Sequence, residues 1–116
     1  MTPTSRSLAV LRKLGYEADV VERWIPGAKI RKDYLGCIDL IACHETYGIL
    51  GVQATTTDNA SKREAKAKAE PRLRTWLAAG ATFEVWGWAL RGAAGKRKLW
   101  TLSKRRIGLE ALEDAG

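Results

Sequence analysis

Apolar positions along the chain fall into short runs whose period switches between that of a helix and that of a strand. Residues 4–14 place Leu8, Leu11 and Leu14 at helical spacing behind Ser and Thr capping candidates, and Gly15 follows as a terminating residue. Residues 16–25 carry Val20 and Val21 in an alternating pattern that ends at Pro26-Gly27, which predicts a first strand and a turn. Residues 28–34 form a basic connection, and the apolar run 36–43, interrupted only by Asp39, predicts a second strand. After a turn at residues 46–48, residues 49–55 predict a third.

A helix capped by Asn59 or Ser61 is expected over residues 62–70, with Pro71 either kinking it or opening a second segment that Gly80 ends. Residues 82–90 alternate again, with Glu84, Trp86 and Trp88 on one face and Phe83 and Val85 on the other. A Gly-rich basic turn at 91–98, a short strand at 99–102 and a last amphipathic segment at 107–113 complete the chain. The order αβββαββα indicates a mixed α/β (α+β) fold with a central mixed sheet flanked by helices, not a doubly wound dinucleotide-binding domain.

With 116 residues, the chain has room for one domain, expected over residues 1–116. No apolar run approaches the roughly 20 residues that cross a bilayer, and the first residues lack the apolar core of a signal peptide; the expectation is a cytoplasmic protein with no membrane partner. Lys and Arg outnumber Asp and Glu by 20 to 13, a net charge of +7 that favours a polyanionic partner, nucleic acid first. Cys37 and Cys43, placed in one strand, lie too far apart to bridge each other. With His44 the only histidine, no zinc-ligand spacing exists, and both thiols are expected to be reduced.

The chemistry concentrates at Asp39 and at Gln53-Ala54-Thr55. Residues two apart on a strand share a face, so Gln53 and Thr55 project together, and the hairpin brings Asp39 alongside them. A carboxylate, an amide oxygen, the Ala54 carbonyl and waters would suit Mg²⁺, a hard cation that prefers oxygen ligands.

These residues, with the order of elements and the stretch from Gly36 to Thr55, resemble the PD-(D/E)XK, or restriction-endonuclease-like, nucleases. The resemblance is to small Holliday junction resolvases of archaeal and phage type and covers about the first 80 residues. It implies a restriction-endonuclease-like core and Mg²⁺-dependent (Mn²⁺ as substitute) hydrolysis of DNA, duplex or branched, by a homodimer, in the host cytoplasm if the chain is phage-encoded. Gln53 stands where the family carries Glu or Asp, and Thr55 where it carries the catalytic Lys. On the resemblance, Asp39, Gln53 and Ala54 hold the metal, Lys66 or Lys62 of the following helix supplies the displaced cation, and Glu22 or Asp33 is a third acid.

Arg31, Lys32, Lys62, Arg63, Lys68, Arg72, Arg91, Lys96, Arg97 and Lys98 are the expected DNA contacts. Trp86 and Trp88 fit a core or a dimer interface better than a base-stacking platform. His44, on the opposite parity from Asp39, fits a turn residue better than a general base. Two other functions remain open: a DNA-binding protein on a catalytically degenerate nuclease scaffold, and a small phage adaptor that holds a host protein through its tryptophan face.

Overall fold

The computed structural model describes residues 1–113. Helix α1 (Pro3–Lys13) opens with a reciprocal capping box: the Thr2 hydroxyl accepts from the Ser5 amide at 3.1 Å, and Ser5 Oγ accepts from the Thr2 amide at 2.9 Å. The strands are β1 (Glu17–Val20), β2 (Arg23–Ile25), β3 (Ile30–Lys32), β4 (Leu40–His44), β5 (Gly48–Thr56), β6 (Thr82–Arg91) and β7 (Leu99–Arg106). A 3₁₀ turn, Thr57–Asn59, leads into α2 (Ala60–Lys68) and α3 (Pro71–Ala78), and α4 (Leu109–Glu113) follows β7. None of these helices is long and apolar enough to cross a membrane.

Five strands form a mixed sheet in the order β1-β4-β5-β6-β7, with β5 and β6 parallel and the other neighbours antiparallel, while β2 and β3 make a separate two-stranded ribbon. The connection through α2 and α3 is what makes β5 and β6 parallel. Alternation along the strands divides the core in two. Leu40, Ala42, Leu50, Val52 and Trp86 pack with Leu11 of α1 on one face. Phe83 and Val85 pack with Ala60, Ala67, Leu73, Leu77 and Leu112 of the other helices on the opposite face. The mixed α/β class and the expected order hold for the main sheet, with the ribbon inserted after its first strand.

Several boundaries differ from the sequence expectation. The first strand, expected to run unbroken over 16–25, leaves the sheet at Val21 and Glu22, whose amides both donate to the Asp39 carbonyl at 2.8 and 3.2 Å. Its second half pairs instead with Ile30–Lys32, so the basic connection is one side of a ribbon. Cys37, Ile38 and Asp39 precede β4 rather than lying within it. Both cysteines are free, and burial pushes the Cys37 thiol up to about 12, which makes it an inert core group.

Pro71 is the first residue of α3, capped by the Glu70 carboxylate on the Arg72 amide at 3.0 Å. Asn59 holds the N-cap position of α2 without a side-chain cap bond. The last strand is twice its expected length, because Arg106 extends it to reach buried Glu84 through two hydrogen bonds of 2.7 and 3.0 Å, while Trp86 Nε1 donates to the same carboxylate at 2.8 Å. Trp86 and Trp88 are both buried, the latter donating to buried Ser7 at 2.9 Å, so the tryptophan face that a protein partner would need is core.

Candidate metal and nucleic-acid site

Asp39 is positioned by three backbone devices. Its amide donates to the Val52 carbonyl at 2.9 Å, which continues the β4–β5 register and sets Asp39 opposite Gln53. Tyr34 and Ile38 exchange backbone bonds of 2.8 and 2.9 Å around a tight loop, so Asp33 and Asp39 flank that pair and meet. The loop needs left-handed backbone at Leu35 and Gly36, and a Cβ at Gly36 would lie 2.7 Å from Glu70 Oε1. The Asp39 carbonyl, by taking the Val21 and Glu22 amides, draws Glu22 in from the other side.

Carboxylate oxygens of Glu22, Asp33 and Asp39 consequently lie within 4.8 Å of one another. Asp39 is 3% exposed, and its Oδ2 accepts from Gln53 Nε2 at 2.7 Å and from the Ala54 amide at 2.9 Å. Burial, followed by the adjoining Asp33 carboxyl, pushes the Asp39 carboxyl up to about 8, and the Ala54 amide opposes the shift. Gln53 Oε1 is buried without a hydrogen-bond partner. Ala54 thus meets Asp39 with its N–H; the carbonyl of a strand residue leaves on the same side.

A cavity of about 280 Å³ opens on this cluster, lined by Glu22, Asp33, Asp39, Gln53 and Ala54 with Thr4, Arg31, Arg63 and Lys66. Arg31 pairs with Glu22 at 3.5 Å. Neither Arg63 nor Lys66 makes an ion pair among the described residues. The fold therefore brings Glu22, Asp39, Gln53, Ala54 and Lys66 together, whereas Lys62, one turn earlier on α2, lies outside the lining. Thr55 shares the parity of Gln53 and is buried, but it does not line the cavity.

The expected DNA contacts are scattered. Lys32 and Arg72 border a different depression, Lys68 pairs with Glu64 at 3.2 Å, and Arg72 pairs with Glu70 at 2.6 Å. Arg91, Lys96, Arg97 and Lys98 are exposed at the far end of the β6–β7 hairpin. His44 closes β4 opposite Gly48, and its Nδ1 accepts from the Thr46 and Tyr47 amides of the following turn at 3.0 and 3.3 Å.

Sequence reasoning missed Thr4, which sits two residues past an N-cap and enters the cavity from the other face of the sheet. It also gave Arg63 only a DNA role, although its spacing of three from Lys66 places both on one helix face. Comparison with known proteins gives no match: no family model, no curated relative and no solved structure matches the chain.

Proposed function

We propose that this protein is a metal-dependent DNA endonuclease on a restriction-endonuclease-like core, hydrolysing phosphodiester bonds in structured or branched DNA. The observation that carries this reading is the convergence of Glu22, Asp33, Asp39 and Gln53 in one cavity rimmed by Arg63 and Lys66. Three carboxylates this close repel one another unless a cation or a proton intervenes. Their hard oxygens, with the unpartnered buried Gln53 Oε1, fit Mg²⁺ or Mn²⁺. A bound ion would lower the pKa of a ligated water and stabilise charge on the phosphate.

The chain's own residues have separate tasks. Gln53 Nε2 and the Ala54 amide fix Asp39 Oδ2 and so orient the carboxyl toward Glu22 and Asp33. Lys66, on a helix rather than at the Thr55 position, brings a cation to the same cavity, where it can stabilise developing charge. Arg63 beside it holds the phosphate. A homodimer would present two such sites to the two strands of a symmetric substrate.

The test is a gel assay of supercoiled, linear and four-way-junction DNA with Mg²⁺, Mn²⁺ or EDTA, on wild type and Asp39→Ala. Expected is divalent-dependent cleavage that Asp39→Ala abolishes while DNA binding persists; undiminished cleavage by the variant overturns the site. A second reading, a DNA-binding protein on a degenerate scaffold, is favoured by Thr55 at the motif-lysine position and by the protein donors already on Asp39 Oδ2. Salt-sensitive binding without cleavage of any substrate would establish it.

A further inference from the structure

The β6–β7 hairpin extends past the rest of the sheet. The last β5 residue paired with β6 is Thr56, opposite Trp88, whereas β6 and β7 stay paired through Ala89–Thr101, Leu90–Trp100 and Arg91–Leu99. Beyond them the loop at 92–98 turns on an Ala93 carbonyl that accepts the Lys96 amide at 2.9 Å, with Gly95 at φ 78°. From residue 89 to residue 103 the chain carries Arg91, Lys96, Arg97 and Lys98 and no acid.

Exposed apolar groups interrupt this basic arm at Leu99, opposite Arg91, and at the adjoining Leu90–Trp100 pair. Leu90 and Trp100, directly opposed and therefore on one face, are 49% and 44% exposed. The guanidinium of Arg6 lies over the Trp100 ring, 3.9 Å from its centroid, and fixes the indole from the α1 side. A cation-backed indole beside lysines and arginines that make no ion pair among the described residues matches a ligand that is anionic along its backbone and carries flat π faces.

We propose that this arm is a second DNA contact in which Trp100 stacks on an unpaired base while the basic residues at 96–98 hold the neighbouring phosphates. The inference rests on the DNA reading above and deepens it, because it assigns the arm to DNA in which base pairing is interrupted. Paired bases are already stacked on both faces and offer an indole nothing without unstacking, whereas an unpaired base does. Gln53 pairs with Val85 and Trp100 with Leu90. These five residues of β6 put the indole about 17 Å along the strand from the acidic cavity, so changing it leaves the acids in place.

The experiment is fluorescence anisotropy at low salt with two DNAs of equal length, one fully paired and one with a central unpaired bubble, on wild type, Trp100→Ala and Trp100→Phe, with thermal melts of each. Trp100→Ala is expected to weaken bubble binding roughly tenfold while changing paired-duplex binding by about twofold or less, and Trp100→Phe to keep most of the preference. Equal losses on the two DNAs, or an undiminished bubble preference in Trp100→Ala, overturn the stacking role while leaving DNA binding intact. If wild type binds neither DNA, the DNA reading itself fails. Binding to anionic phosphatidylserine vesicles in its place would assign the arm to a membrane surface and overturn the inference too.

Discussion

Asp39 carries opposing demands in one side chain. Its carboxyl is buried, receives two protein donors and faces two further acids, and in the absence of a cation its ionisation is shifted up to about 8. An unfolded Asp titrates near 3.9, so between about pH 4 and pH 8 the folded chain binds a proton that the unfolded chain does not. The stability this contributes is present in full below the unfolded value and is lost as pH rises through the folded one. Metal-free protein should therefore melt at lower temperature at pH 8 than at pH 5, by a difference on the order of a few kcal/mol in stability. Asp39→Asn should flatten that slope, and Mg²⁺ should stabilise wild type more at pH 8 than at pH 5, because less of the ligand has to lose a proton. A pH-independent melt in metal-free wild type would show that Asp39 takes up no proton on folding.

Lys66 and Lys62 separate at the same scale, since only Lys66 lines the cavity. Lys66→Met should lower turnover by orders of magnitude with little change in DNA affinity, because a cation acting on developing charge matters in the transition state. Lys62→Met should keep its turnover at saturating DNA. Full activity in Lys66→Met would remove the migrated cation from the mechanism, and Thr55→Lys in that background tests whether a strand lysine restores it.

At the level of elements, alternation and capping residues made the main sheet and its helices legible, because both patterns are local. The departure of the chain at Val21 was not, since the signal that breaks the strand is a carbonyl eighteen residues downstream, at Asp39. The same non-locality hid part of the site: Asp33 meets Asp39 only because Leu35 and Gly36 adopt left-handed backbone and return the chain on itself. Gln53 and Asp39, by contrast, could be paired from hairpin register alone.

The parallel β5–β6 pair depends on a close approach that the sequence marks only as a glycine between two tryptophans. A Cβ on Gly87 would lie 3.1 Å from the Thr57 Cα and 3.4 Å from the Ala60 Cβ, where the 3₁₀ turn and the start of α2 cross β6. The nearest contact is backbone, so the turn must move for a methyl to fit. Gly87→Ala should destabilise the protein by about 1–3 kcal/mol, the usual cost of overpacking, measurable by urea unfolding. Because α2 carries Arg63 and Lys66, activity should fall further than DNA binding; an unchanged midpoint would mean that the turn yields freely.

Across the whole molecule, the net positive charge is unevenly available. Lys68, Arg72, Arg105 and Arg106 are engaged with Glu64, Glu70 and Glu84, whereas Lys62, Arg63 and Lys66 of α2 make no ion pair among the described residues. A cation already bonded to a carboxylate must give up that partner to reach a phosphate, so equal losses of charge should have unequal effects. Lys62→Gln with Arg63→Gln should weaken binding to every DNA alike and lower the slope of log K against log salt by about 1 to 2. Lys68→Gln with Arg72→Gln removes the same two charges and should change the slope by roughly half as much or less, since few released counterions trace to those sites. Salt titrations of the two double variants against one duplex decide the point: identical slopes would mean that binding follows net charge rather than contacts placed on the α2 face.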